Sequence, residues 1–320
     1  MNNDVVIDCP YCKTRIFIKK FKKIRSLIYC YNCEEPIIPK KYFLYEFFYF
    51  LFNAFIFALI IAISAYSFEN YSEWKNISGF VFLTSLMIAS LALHEFFHAF
   101  FAYIFGDYSV FSKGYLRLNI FKYIHGIHSI IMPLAFLFIV GIFSPGAAVY
   151  INEDNIKYRI FHFIVDVSGI FSQIIFCSCI LFLIHSDAYS FSDNILTLLH
   201  TSAFIQVLIL FFNLLPIPGL DGWNAIFSLL SKRIGNSISH FLSYPLLIGF
   251  IACILWVEEF TTLILSNVFL LIDKLGLDKN LVFEGYSYII IIDTNTLVLL
   301  KDRLIELFLV IFKKMDLILG

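Results

Sequence analysis

The sequence predicts an all-α polytopic membrane protein with about five to seven membrane helices, one re-entrant hairpin among them. A small cytosolic β segment and a short N-terminal module complete the expected fold. Three observations carry this reading. First, the 320-residue chain is 60% hydrophobic and 19% aromatic, with only 15% charged residues and a mean hydropathy of +0.84. A soluble domain carries about a quarter charged residues and has no interior for so much apolar surface. Second, apolar runs of membrane length recur along the chain. Third, the Lys and Arg residues between those runs gather on alternate sides, as the positive-inside bias demands. The formal net charge of −1 points to no class of partner. The start, Met1-Asn2-Asn3-Asp4, is polar, and the first long apolar run begins near Tyr42. No cleavable signal is therefore expected, and the N-terminus is expected in the cytosol.

Residues 1–41 read as a separate unit. Cys9-Pro10-Tyr11-Cys12 and Cys30-Tyr31-Asn32-Cys33 are two CxxC pairs with residues 13–29 between them. That spacing matches a zinc ribbon, in which four thiolates close a tetrahedral structural site. So short a unit has too little core to fold alone, and the metal would supply its stability. Free thiolates suit a reducing cytosol better than disulfides do. Between the pairs lie Lys13, Arg15, Lys19, Lys20, Lys22, Lys23 and Arg25. Such a run suits anionic lipid headgroups or nucleic acid, but the favoured reading is a solvated face that keeps this end inside.

The first span is expected over Tyr42–Ser67, followed by a short loop with Glu69, Glu73 and Lys75, so that 42–78 form one span and its outer loop. Residues 79–275 form the expected core. Gly79–Phe105 returns, ending at Gly106-Asp107. Lys113, Arg117 and Lys122 place the next segment in the cytosol, and its alternation from Tyr115 to Ile120 suggests short strands. Ile127–Phe143 is apolar but short, ends at Ser144-Pro145-Gly146 and has basic loops on both sides, which suits a re-entrant hairpin. Further spans are expected over Ile160–Ile184, Ile195–Leu215 and Phe241–Trp256, with Thr261–Ile272 as a weaker candidate. Residues 276–320 form a tail with an amphipathic helix at Leu297–Lys314.

His94-Glu95-Phe96-Phe97-His98 is the chemical centre of this plan. Histidines four apart share one helix face, so both imidazoles can reach one metal ion with Glu95 beside them as a general base. Ionisable groups inside a span are costly and mark a functional site by default. A structural zinc needs four protein ligands, and a third ligand must come from elsewhere in the chain. Asn213-Leu214-Leu215-Pro216-Ile217-Pro218-Gly219-Leu220-Asp221-Gly222 closes the Ile195 span, and its prolines and glycines break the helix at membrane depth. Asp221 then faces the same side as His98. Two histidines and one carboxylate leave a fourth zinc position open, which is the catalytic arrangement.

HExxH in one span with Asn-Leu-Leu-Pro-Ile-Pro-x-Leu-Asp-Gly in a later one resembles the site-2 proteases, in the branch without a PDZ domain, over about residues 79–275. These are intramembrane zinc metalloproteases that cut membrane-anchored regulators. Gly106-Asp107, Leu116-x-Leu118-Asn119, Met132-Pro133, Ser168-Gly169 and Tyr244-Pro245-Leu246 also match. The resemblance implies that His94, His98 and Asp221 hold a catalytic zinc, that Glu95 is the base, and that Asn213 holds substrate backbone or the oxyanion. The chain departs from the family at Gly219, where proline is usual, and at Ser168-Gly169-Ile170 with Gln173, where Ala-Gly-Pro and asparagine are usual. Tyr115, His125 and Gly126 replace arginine, aspartate and proline. His125 and His128 read as solvated loop residues.

The expected reaction is hydrolysis of a peptide bond in a membrane-anchored protein within the lipid bilayer. Strands near 114–120 would receive the unwound substrate by edge pairing, with Leu116, Leu118 and Asn119 touching it. Two other readings stay open. One is a catalytically silent relative that binds membrane helices, against which the intact Glu95 stands. The other is a zinc-ribbon regulator with a membrane anchor, which leaves His94, Glu95, His98 and Asp221 unexplained.

Overall fold

The computed structural model describes residues 5–8, 14–18, 28–30, 32, 36–37, 40–124, 148–217, 220–229 and 258–289. Strand β1 (Val5–Asp8) pairs antiparallel with β2 (Arg15–Ile18), setting Val5 opposite Ile18 and Asp8 opposite Arg15. A second two-stranded ladder joins β3 (Ile28–Tyr29) to β4 (Pro36–Ile37). The Asn32 amide donates to Thr14 Oγ1 at 3.1 Å and so links the two hairpins. Cys30 is buried directly after β3, whereas Cys9, Cys12 and Cys33 lie outside the described residues.

Four of the expected spans are helices: α1 (Lys40–Asn70), α2 (Lys75–Ile104), α4 (Arg159–His185) and α5 (Asp193–Leu214). All four are long and apolar enough to cross a membrane, as a multi-pass membrane protein requires. Short α3 (Ser109–Lys113) follows α2, and α6 (Asp221–Leu229) follows α5. The stretch expected as a weak span is α7 (Glu258–Lys274), which at 17 residues rises about 26 Å, short of the roughly 30 Å hydrocarbon core. Helix α8 (Lys279–Tyr286) comes next, capped by Asp278 Oδ1, which accepts from Asn280 N. The hairpin at Ile127–Phe143, the span at Phe241–Trp256 and the helix at Leu297–Lys314 lie outside the described residues.

Successive long helices run antiparallel, so their ends fall into two groups. At one end Ser192 donates to Glu69 and Lys75 to Asn194, each at 2.8 Å. At the other end Arg117 makes a two-pronged ion pair with Glu46 of α1. There too Asp107 accepts from Ser109 N, Asn152 N and Asn155 Nδ2. The Gly106-Asp107 pair therefore has a plain physical role. Gly106 adopts φ +116°, a conformation open chiefly to glycine, and the turn it makes aims Asp107 at the loop leading into α4.

Two apolar clusters fill the bundle. One, nearer the Glu69 end, joins Phe82, Leu83, Leu86 and Met87 of α2 to Leu198, Phe204 and Leu208 of α5, and α7 and α8 add Val268, Ile272 and Val282. The second gathers Ala92, Ala99 and Ala102 of α2 with Tyr115, Leu116, Leu118, Tyr123 and Val165.

The strands expected near 114–120 are not formed. Residues Tyr115–Arg117 and Ile120–Lys122 are 3-10 turns, and the described residues in this core carry no strand. Gly114 (φ +76°) and Leu118 (φ +53°) are left-handed, and two such residues fold the backbone back on itself. For leucine that conformation costs about 1–2 kcal/mol, which tertiary packing must offset. Leu118 and Leu116 are both buried, and Arg117 is held by Glu46 and by Asn53, whose amide donates to its carbonyl at 2.8 Å.

Candidate metal centre

Helix α2 presents His94 and His98 one turn apart, with Nε2 atoms 3.0 Å from each other. Asp221 enters from the start of α6. Its Oδ2 lies 3.0 Å from His94 Nε2 and its Oδ1 3.4 Å from His98 Nε2. The ligand atoms of all three lie within 4.8 Å of one another, the one such His/Cys/Asp/Glu group among the described residues. A tetrahedral zinc with bonds of about 2.0–2.1 Å separates its ligand atoms by about 3.3 Å, so the spacing fits. The hydrogen-bond pattern fits as well. Asp221 Oδ2 is buried and not aligned for a hydrogen bond, although it lies against His94. Two imidazole nitrogens facing each other at this distance are naturally reconciled by a cation between them.

The chain fixes two of the three ligands, His98 and Asp221. His98 Nδ1 lies 2.7 Å from the Val165 carbonyl of α4. A proton donated there leaves Nε2 as the ligand lone pair. Asp221 is set by the break after α5. Leu215, before Pro216, is extended at φ −68°, ψ 140°, as a residue preceding proline prefers. Gly222 then packs so closely on the α5 end that a Cβ would lie 2.5 Å from the Leu214 carbonyl oxygen. A larger residue there would move Asp221 off the histidines.

Glu95 is buried beside the pair. The Val149 backbone N–H faces its carboxyl. Ala148 N donates in turn to the Tyr123 carbonyl at 2.7 Å and Lys113 Nζ to the Tyr150 carbonyl at 2.6 Å, so the segment 148–150 is pinned on both sides of Glu95. Asn213, near the end of α5, donates to Gln173 Oε1 of α4 at 3.0 Å. That leaves the second hydrogen of the same amide for another acceptor.

His94, His98 and Asp221 thus form a possible metal site, with Glu95 buried beside them. Leu116 and Leu118 pack in the inner cluster instead of lining a strand edge, and the Asn119 side chain caps a 3-10 turn by accepting from Phe121 N at 3.0 Å. His125 and His128 lie outside the described residues. Sequence reasoning missed the part of Val149, because a backbone donor leaves no mark on residue type.

Comparison with known proteins agrees with this site. Over 181 residues the chain is 34% identical to "Putative zinc metalloprotease Rip2" of Mycolicibacterium smegmatis, covering 53% of this chain and 68% of that protein. The chain belongs to that protein's family. A protein of the same name from Mycobacterium tuberculosis is 36% identical over 151 residues, 46% of this chain and 56% of its own length. "Putative zinc metalloprotease YwhC" of Bacillus subtilis is 30% identical over 175 residues, 52% and 77% respectively. The Rip2/YwhC family names support a metalloprotease role and a zinc cofactor here. No family profile and no solved structure matches the chain.

Proposed function

We propose that the protein is an intramembrane zinc endopeptidase of the site-2 type, hydrolysing peptide bonds in membrane-anchored proteins. The observation that carries this reading is the convergence of His94, His98 and Asp221 inside a bundle of membrane-length helices. When bound, zinc supplies an activated water and a polarised carbonyl. The rest of the chemistry falls to side chains. Glu95, oriented by Val149 N–H, takes the proton from the attacking water and returns it to the departing amine. Asn213 donates to the carbonyl oxygen of the scissile bond. A substrate helix must unwind to reach Glu95, because its carbonyls are otherwise spent on its own hydrogen bonds.

In this reading the end carrying Lys113, Arg117, Lys122, Lys157 and Arg159 faces the cytosol, and the N-terminus with it. Residues 1–41 would hold a second, structural zinc through Cys9, Cys12, Cys30 and Cys33. Two facts support that module: each CxxC pair falls in the connection of an antiparallel strand pair, and Asn32 of the second pair bonds Thr14 just after the first. Its basic run suits anionic lipid or nucleic acid.

The test is Glu95→Gln. Membrane-anchored proteins are compared between cells carrying wild type and cells carrying the variant. An uncut protein that accumulates with the variant identifies the substrate. Unchanged processing of every such protein would instead make the chain a silent helix-binding relative.

A further inference from the structure

Helix α4 passes the two histidines at Gly169. A Cβ built there would collide with His98 Nε2, and would come within 2.5 Å of His94 Cε1 and 2.6 Å of His94 Nε2. These nitrogens are the ligand atoms themselves, not flexible chain ends that could swing away. His98 is held to Val165 O, one turn before Gly169, and both histidines are buried. The surrounding face of α4 is small and internally satisfied. Ser168 Oγ donates to Val165 O and Ser172 Oγ to Gly169 O, each at 2.7 Å. Glycine is a poor choice inside a helix, where alanine is better by propensity, so its presence here points to a steric demand.

We infer that Gly169 is a positioning residue for the metal: its missing side chain sets the clearance in which the ion and its open coordination position fit between α2, α4 and α6. This rests on the metal-centre reading above. It predicts that one added methyl group displaces the histidine rings and weakens the grip on zinc while the helical bundle still folds.

The experiment uses the purified full chain in detergent micelles and measures zinc content, zinc affinity by chelator competition, and thermal unfolding of the zinc-free form. The site's zinc is defined as the ion lost in His94→Ala. Gly169→Ala should hold that zinc about tenfold or more weakly, the scale of losses when the support of metal ligands is disturbed. Its zinc-free form should keep wild-type helix content and unfold in a single cooperative transition. Ser172→Ala, on the same face but clear of the rings, should keep wild-type affinity. Gly169→Ala binding zinc as tightly as wild type would overturn the inference while leaving the metal centre intact. A Gly169→Ala chain that loses helix content or its cooperative transition would also overturn it, by making the residue a packing requirement of the whole bundle. Equal zinc in wild type and His94→Ala would remove the metal centre and this inference together.

Discussion

Between Phe82 and Met87, α2 packs through large apolar side chains against Phe204 and Leu208. Between Ser90 and Ala102 the same helix buries Ser90, Ala92, His94, Glu95, His98, Ala99 and Ala102, facing Ser168, Gly169 and Ser172 on α4. The first half is a core that resists change by volume. The second trades volume for small and polar groups, the usual way membrane helices approach closely and hold hydrogen bonds. The Ser90–Gln206 hydrogen bond, 2.6 Å long and fully buried, marks the change from one to the other. Stability and chemistry are thus divided along one helix, and substitutions in the two halves should fail differently.

The largest effect without loss of metal is expected from Val149→Pro, which deletes the N–H facing Glu95. A hydrogen bond to a charged group contributes about 1.5–3 kcal/mol, so kcat should fall about tenfold or more with KM and zinc content unchanged. Val149→Ala keeps the N–H and should restore wild-type kcat. Equal loss in both variants would show that the side chain, not the backbone donor, matters.

In the other half, Leu198→Ala empties a fully buried position and should cost about 2–5 kcal/mol, read as an earlier unfolding transition in micelles, while zinc affinity holds. If zinc were lost in step with stability, the division between the halves would be wrong. The smallest effect belongs to α1. Only 6% of its apolar window is buried, against 72% for α5. Phe55, 63% exposed on α1, should accept alanine within about 0.5 kcal/mol. A larger shift in the same unfolding measurement would mean that α1 is covered by protein.

What the sequence revealed follows the same division. The four long helices were legible because membrane length and apolarity are properties of composition. His94 and His98 were legible from their helical spacing, and Asp221 from the proline-broken end of α5, where a carboxylate needs a partner. The turn at 115–122 was misread. Leu116, Arg117, Leu118 and Asn119 alternate like a strand, yet Leu118 is left-handed, a state its residue type disfavours and only packing around Arg117 and Glu46 sustains. The demand on Gly169 was also hidden, since a motif match to Ser-Gly does not say which ring the missing methyl would strike.

The most direct test of the central claim is the zinc content of the purified full chain compared with Asp221→Ala. If His94, His98 and Asp221 share one ion, the variant should carry one zinc fewer per chain, with its helix content unchanged by circular dichroism. Equal zinc in the two proteins would contradict the claim, because the carboxylate from α6 would then have no part in holding metal.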